Sequence, residues 1–341
     1  MKLNEFNDKD RSVIRCLVSE CKKCVNNAGK PYLTVLLSDS SGSLDCRKWE
    51  VTEDDYVTLE KGNYVEVDLV ANSFDKKLQG KILMATKLDI LTADYDELIA
   101  KAPVEVKELH ERLKKYIAGI KDEAVSELTK AVFAKYYKKY RDWPAAASNH
   151  HNYLHGLIYH SLTMADLASH LCDIYPVLNR DIVIAGTILH DIGKTIELSG
   201  FIATSYTLEG KLLGHLSIGA NIIHECAKEL GYFAYDDLSE EEKKDKSSVA
   251  FHKKEVAIVL EHILLSHHSL PEYGAAVRPL TRESQIVSMI DDIDAKMMIL
   301  QKAYEGVEKG DFTNKIFSMD NRYFYKPMYT EKEDSPFGEN E

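Results

Sequence analysis

Apolar and polar positions alternate in short runs between residues 11 and 90. YLTVLLSD is a β-rich run that ends in the turn signal DSSGS. LDCRKW follows, then a polar stretch, then NYVEVDLVANSF, a turn at FDKK, and LQGKILMATKLDIL. Five or so short strands with glycine-containing turns in about 80 residues predict a small barrel, and the OB-fold is the natural candidate. From residue 93 the apolar spacing becomes helical. EVKELHERLKKYIAGI and DEAVSELTKAVFAKYYKKY read as helices connecting two domains. Five further helical stretches follow, up to about residue 305, with Pro, Gly and Asn in the gaps. The expected fold is α+β: an OB-fold domain at 1–92, a helical connector at 93–142, an all-α domain at 143–328 and a disordered acidic tail at 329–341.

The chain has 341 residues, of which 45% are hydrophobic and 29% charged, as in a soluble globular protein. No run of about 18 apolar residues suggests a membrane span, and MKLNEFNDKDRS lacks a signal-peptide core. A cytoplasmic protein without membrane association is expected. Six cysteines are too few for a disulfide framework. Cys16, Cys21 and Cys24 have an iron–sulfur-like spacing, but their strand-like surroundings favour small buried thiols. The net charge of −12 argues against nucleic-acid binding. Its distribution weakens that argument. Residues 1–90 hold 14 basic and 15 acidic residues, a net of −1, and residues 101–142 hold 11 and 7, a net of +4.

All 13 histidines lie between 110 and 268. The chemistry centres on His190-Asp191, at the end of the apolar run AGTILHDIGK. An isolated His-Asp pair is common by chance, so its context decides. His160 precedes it in a helical stretch, His215 follows in LLGHLSIG, His267 and His268 end EHILLSHH, and Asp291 sits in VSMIDDIDAKM. Mixed imidazole and carboxylate ligands suit Mn, Fe, Zn, Co or Ni, and shared carboxylates allow two ions. Two such ions can activate a water and steady the oxygens of an in-line phosphoryl displacement. Lys194, four residues after His190, lies one helical turn on and can hold a phosphate oxygen as charge develops. A solvated lysine at a helix end is the competing account.

The segments GLIYHSLTMADLA, IAGTILHDIGK, LLGHLSIGANII, HILLSHHSLPEYGAAVRP and IDDIDAKMM resemble the HD domain of metal-dependent phosphohydrolases. Together with the OB-like N-terminus, NHHNYLHGL and the closing NRYFYKP, the chain is similar to YhaM-type 3′→5′ exoribonucleases over roughly residues 12 to 327. The resemblance implies a manganese- or cobalt-supported enzyme, with Fe, Ni, Zn and Mg as alternatives. It would shorten single-stranded RNA, and single-stranded DNA, from the 3′ end. It assigns His160, His190, Asp191, His215 and Asp291 as metal ligands, with His267 or His268 as the remaining one. Asp191 and Lys194 are the expected catalytic residues. Asp294 is expected to support a ligand or the fold. His155 departs from the family pattern, in which a small residue, usually glycine, precedes GL.

For substrate binding the candidates are His151 along the substrate path, Arg278 as a phosphate contact, and Tyr32, Trp49 and Phe74 as stacking surfaces for bases. Core packing competes for each aromatic. Two rival functions stay open. An HD phosphohydrolase of mononucleotides or cyclic dinucleotides would need no strand-tracking barrel, and SLPEYGAAVRP lacks the GYP-type extension of the cyclic-dinucleotide group. A nucleic-acid-binding regulator with a vestigial site would not need every ligand type in place. A homo-oligomer in which OB domains reach neighbouring sites is left open.

Overall fold

The computed structural model describes residues 1–74, 77–92, 94–146, 153–305 and 307–329. The chain divides into two compact units. One comprises Met1–Lys101 with Gly200–Ser205, the other Ala102–Ser199 with the chain from Tyr206 onward.

Five strands build the first unit: β1 (Arg11–Val25), β2 (Pro31–Asp39), β3 (Gly42–Lys48), β4 (Tyr64–Phe74) and β5 (Lys77–Lys87). They close into a barrel in the order β1-β2-β3-β5-β4. All pairs are antiparallel except β3 with β5. This five-stranded closed topology is the OB arrangement. Closure depends on the 15-residue β1, which pairs with β4 through Arg11–Leu17 and with β2 through Leu17–Val25. The alternation seen in the sequence is the inside–outside pattern. Leu33, Val35 and Leu37 of β2 and Val65, Val67, Leu69 and Ala71 of β4 fill the interior. The polar stretch between β3 and β4 contains a short helix, α1 (Glu53–Thr58), with Thr52 and Asp55 forming a capping box. Cys16 and Cys46 are buried in this core, where burial pushes both thiols up, Cys46 to about 12. Cys21 and Cys24 are half-buried on β1. Among the described residues no cysteine joins a group with metal-binding spacing.

After α2 (Tyr95–Leu98), the second unit is helical: α3 (Val106–Ala118), α4 (Glu123–Asp142), α5 (Gly156–Ile174), α6 (Arg180–Leu189), α7 (Lys194–Glu197), α8 (Leu208–Glu229), α9 (Val249–Ser266) and α10 (Arg282–Glu305). A single apolar cluster joins α3–α6 and α8–α10, from Leu109 and Leu128 through Ile158 and Ile188 to Ile263 and Ile290. Side-chain caps fix several helix starts: Asp122 for α4, Asn179 for α6, Thr207 for α8 and Ser248 for α9. No described helix is long and apolar enough to cross a membrane. The expected acidic tail lies outside the described residues from 330 on, and so does His151.

Candidate metal centre

Helix ends bring the site together. His190 is the C-terminal cap of α6 and Asp191 the next residue, so the two adjacent side chains turn inward from the end of a buried helix. His267 likewise caps α9. His160 projects from the first turns of α5, Asp291 from the middle of α10, and His215 follows a break inside α8 at Gly214. His160, His190, Asp191 and His267 are each at most 2% exposed.

The convergent atoms are close. His160 Nε2 lies 3.4 Å from Asp291 Oδ1 and 3.7 Å from Asp191 Oδ2, and His190 Nε2 lies 3.3 Å from Asp191 Oδ2. On the other side, Asp191 Oδ1 lies 3.4 Å from His215 Nε2 and 3.8 Å from His267 Nε2. His268 joins His215 and His267 in a further group whose ligand atoms lie within 4.8 Å of one another. Asp191 therefore presents one oxygen to His160 and His190 and the other to His215 and His267. Of the two adjacent histidines, His267 belongs to two such groups and is fully buried, while His268 belongs to one.

Every ring in the cluster is held by its other nitrogen. The Nδ1–H groups of His190, His267 and His268 donate to the backbone carbonyls of Thr187, Leu264 and Tyr273 at 2.7, 2.9 and 2.9 Å. A carbonyl only accepts, so each of these rings carries a proton on Nδ1 and turns its Nε2 inward. His160 Nδ1 lies 2.7 Å from Asp294 Oδ2, and His215 Nδ1 lies 3.0 Å from Glu197 Oε1. Glu197 was absent from the residues singled out by sequence, because nothing in GKTIELSG marks it as a partner of His215.

The electrostatics follow from burial among opposed charges. Burial opposes a charged His160, but Asp291 and Asp294 outweigh it and push the ring up to about 10. Burial also raises the Asp191 carboxyl, yet Lys194 and His190 prevail and hold it well below the usual carboxylate range. Lys194 Nζ lies 2.6 Å from Asp191 Oδ2, and this pairing overcomes burial to keep the ammonium charged. Burial beside His190 pushes His267 well down, so it stays neutral.

These residues fit a metal. Asp191 Oδ1, His215 Nε2 and His267 Nε2 are buried with no hydrogen-bond partner, at a cost that a cation would offset. The separations of 3.3–3.8 Å suit neighbouring ligands about 2.0–2.2 Å from a shared ion. The donors, histidine nitrogen and carboxylate oxygen, suit a divalent transition metal.

The sequence resembles known proteins along most of its length. An HD domain model matches residues 157–296, which span the convergent set. A curated 3′-5′ exoribonuclease YhaM from Oceanobacillus iheyensis is 38% identical over 320 residues, covering 93% of this chain and 94% of the relative. The chain belongs to the YhaM family. Family members from Halalkalibacterium halodurans and Geobacillus are 37% and 36% identical, each over 92% of this chain and over 92% and 91% of the relative. Among solved structures, the second OB-fold domain of replication protein A from Methanococcus maripaludis covers 26% of the chain at 18% identity, with 94% of that domain matched and a TM-score of 0.22.

The remaining candidates are not among the convergent ligand atoms. Tyr32 and Trp49 belong to the barrel, where their rings stack with centroids 4.6 Å apart. Phe74 ends β4 and is 71% exposed. Arg278 is exposed in the segment between α9 and α10. His155 caps α5 at φ +65, a left-handed conformation that glycine adopts without strain.

Proposed function

We propose that this chain is a metal-dependent 3′→5′ exoribonuclease that releases nucleoside monophosphates from single-stranded RNA. The observation that carries the reading is the double-facing Asp191, set between two groups of inward-turned histidines. The activity named for the YhaM relatives supports it.

In this reading His160, His190, Asp191 and Asp291 would hold one divalent ion, manganese or cobalt by preference. His215, His267 and His268, with Asp191 beside them, would hold a second. Bound ions supply positive charge to the scissile phosphate and acidify water beside it. The chain's own residues do the rest. Backbone carbonyls and carboxylates fix the ring orientations, so the site reorganises little during reaction. Lys194 keeps Asp191 ionised and places a second positive charge beside the phosphate. Surrounding apolar residues such as Ile188, Ile192 and Leu264 exclude bulk water. Tyr32 and Trp49 offer a stacking surface for bases, and Arg278 offers a phosphate contact. With RNA as substrate, the cytoplasm is the proposed compartment.

The test is a time course on 5′-labelled single-stranded RNA with Mn²⁺, beside a chelator control and the Asp191→Ala protein. The expected result is a ladder shortening from the 3′ end that chelation abolishes and that the variant slows by at least about 10³-fold, the scale of several kcal/mol of lost charge stabilisation. Intact RNA at enzyme concentrations that cleave a small phosphodiester would reject the exoribonuclease reading.

A further inference from the structure

Glu197 is not one of the proposed metal ligands, yet it is buried at the end of α7, seven residues beyond His190, with 7% exposure. Its Oε1 accepts two hydrogen bonds from one residue: the backbone N–H of His215 and its ring Nδ1–H, each at 3.0 Å.

The need for that double contact arises from the backbone of α8. Gly214 stands at φ 70, ψ 157 within the helix, and this interrupts the hydrogen-bond ladder. The stretch from His215 on begins as a new helix would, with amides that need acceptors from outside. A carboxylate is the favoured acceptor there, because the start of a helix carries partial positive charge. Glu197 is itself clamped by the first turn of α8. The Thr207 backbone N–H donates to the Glu197 carbonyl at 2.9 Å, and the Thr207 hydroxyl donates to the Ile196 carbonyl, also at 2.9 Å. Gly210 permits this approach, since a Cβ there would lie 2.3 Å from the Glu197 carbonyl oxygen and 2.9 Å from its Cγ. One oxygen thus fixes both the backbone that carries His215 and the rotation of its ring. The His215 Nε2 is left facing Asp191 Oδ1 at 3.4 Å without a hydrogen-bond partner.

We propose that Glu197 is the positioning residue for His215 and selectively sets the affinity of the half-centre formed by His215, His267 and His268. The inference rests on the metal reading given above. Asp294, against His160 Nδ1, serves the other half.

The experiment is calorimetric titration of Mn²⁺ into chelator-stripped parent, Glu197→Gln and Glu197→Ala proteins, with the metal-free melting temperature as a check on folding. The parent is expected to take up two equivalents. Glu197→Ala is expected to bind one equivalent as the parent does and the other about 10- to 100-fold more weakly, the usual effect of removing a partner that orients a ligand. Glu197→Gln should bind both within about threefold of the parent, because an amide oxygen accepts the same two bonds. Glu197→Asp keeps the charge on a shorter arm. It should show the same selective loss as alanine, and it carries the test should the alanine variant not fold. Two unchanged equivalents in folded Glu197→Ala would overturn the proposal while leaving the metal reading intact, as would equal weakening of both. No uptake by the parent would overturn both ideas together.

Discussion

Replacing Gly193 with alanine isolates the closeness of α7 and α8 from any effect of backbone conformation. Gly193 stands at φ −60, ψ −24, which alanine adopts freely. The added Cβ would nevertheless lie 2.0 Å from the His215 carbonyl oxygen and 2.8 Å from its carbon. Ordinary contact begins at 3.4 Å, so the His215 backbone must retreat by 3.4 − 2.0 = 1.4 Å. Functional groups tolerate displacements of only about 0.5 Å, and about 1 Å of misplacement costs on the order of 10²-fold in rate. Gly193→Ala should therefore lower kcat/KM on single-stranded RNA by at least about 10²-fold, and overpacking should cost about 1–3 kcal/mol of stability. Gly231→Ala is the control. That residue stands at φ +73 with open space around its Cβ position, so alanine there costs about 1–2 kcal/mol by conformation alone. It should melt earlier with an unaltered rate. Initial rates with Mn²⁺ and melting temperatures on both proteins test the reasoning. A Gly193→Ala enzyme with a rate within about threefold of the parent would refute it.

Two further outcomes follow from the same geometry. Three unpartnered buried atoms at the centre destabilise the metal-free fold. An ion present at 100 times its Kd contributes about 2.7 kcal/mol, so chelation should lower the melting temperature by about 5–10 °C for a unit of this size. An unchanged melting curve would count against metal binding. Trp49, 39% exposed and stacked on Tyr32, should contribute about 1–3 kcal/mol to RNA binding through base stacking. Trp49→Ala should thus weaken RNA affinity about 5- to 150-fold by fluorescence anisotropy and leave hydrolysis of a small phosphodiester unaltered. Unchanged RNA affinity would assign the pair to barrel packing.

The barrel was legible in the sequence because each strand carries its own alternation. Leu33, Val35 and Leu37 are an inward-facing set that period two identifies without knowledge of any partner. Helix α1 was not legible, since six residues are too few to display a period and its Thr52–Asp55 capping box lies in an acidic run. The order of histidines and aspartates was readable, but not which atoms face which. That information resides in the Nδ1 bonds to Thr187, Leu264 and Tyr273, whose acceptors are backbone groups with no residue signature. Glu197 was hidden for a related reason. Its contact with His215 depends on a break at Gly214 and a close approach at Gly210, and a glycine in sequence does not say which of these it serves.

The centre joins residues far apart along the chain, His160 and Asp294 being separated by 134 positions. The ribosome delivers them in order. The five barrel strands are complete by Lys87, well before the last residues of the centre are made. The proposed cutting centre cannot exist until α10 has been made and packed. For an exoribonuclease this order of assembly is protective, because an unfinished chain is still tethered to the message that encodes it and has no means to degrade that message. A product truncated between Lys87 and Asp291 would likewise keep the barrel strands and lack a residue of the proposed centre.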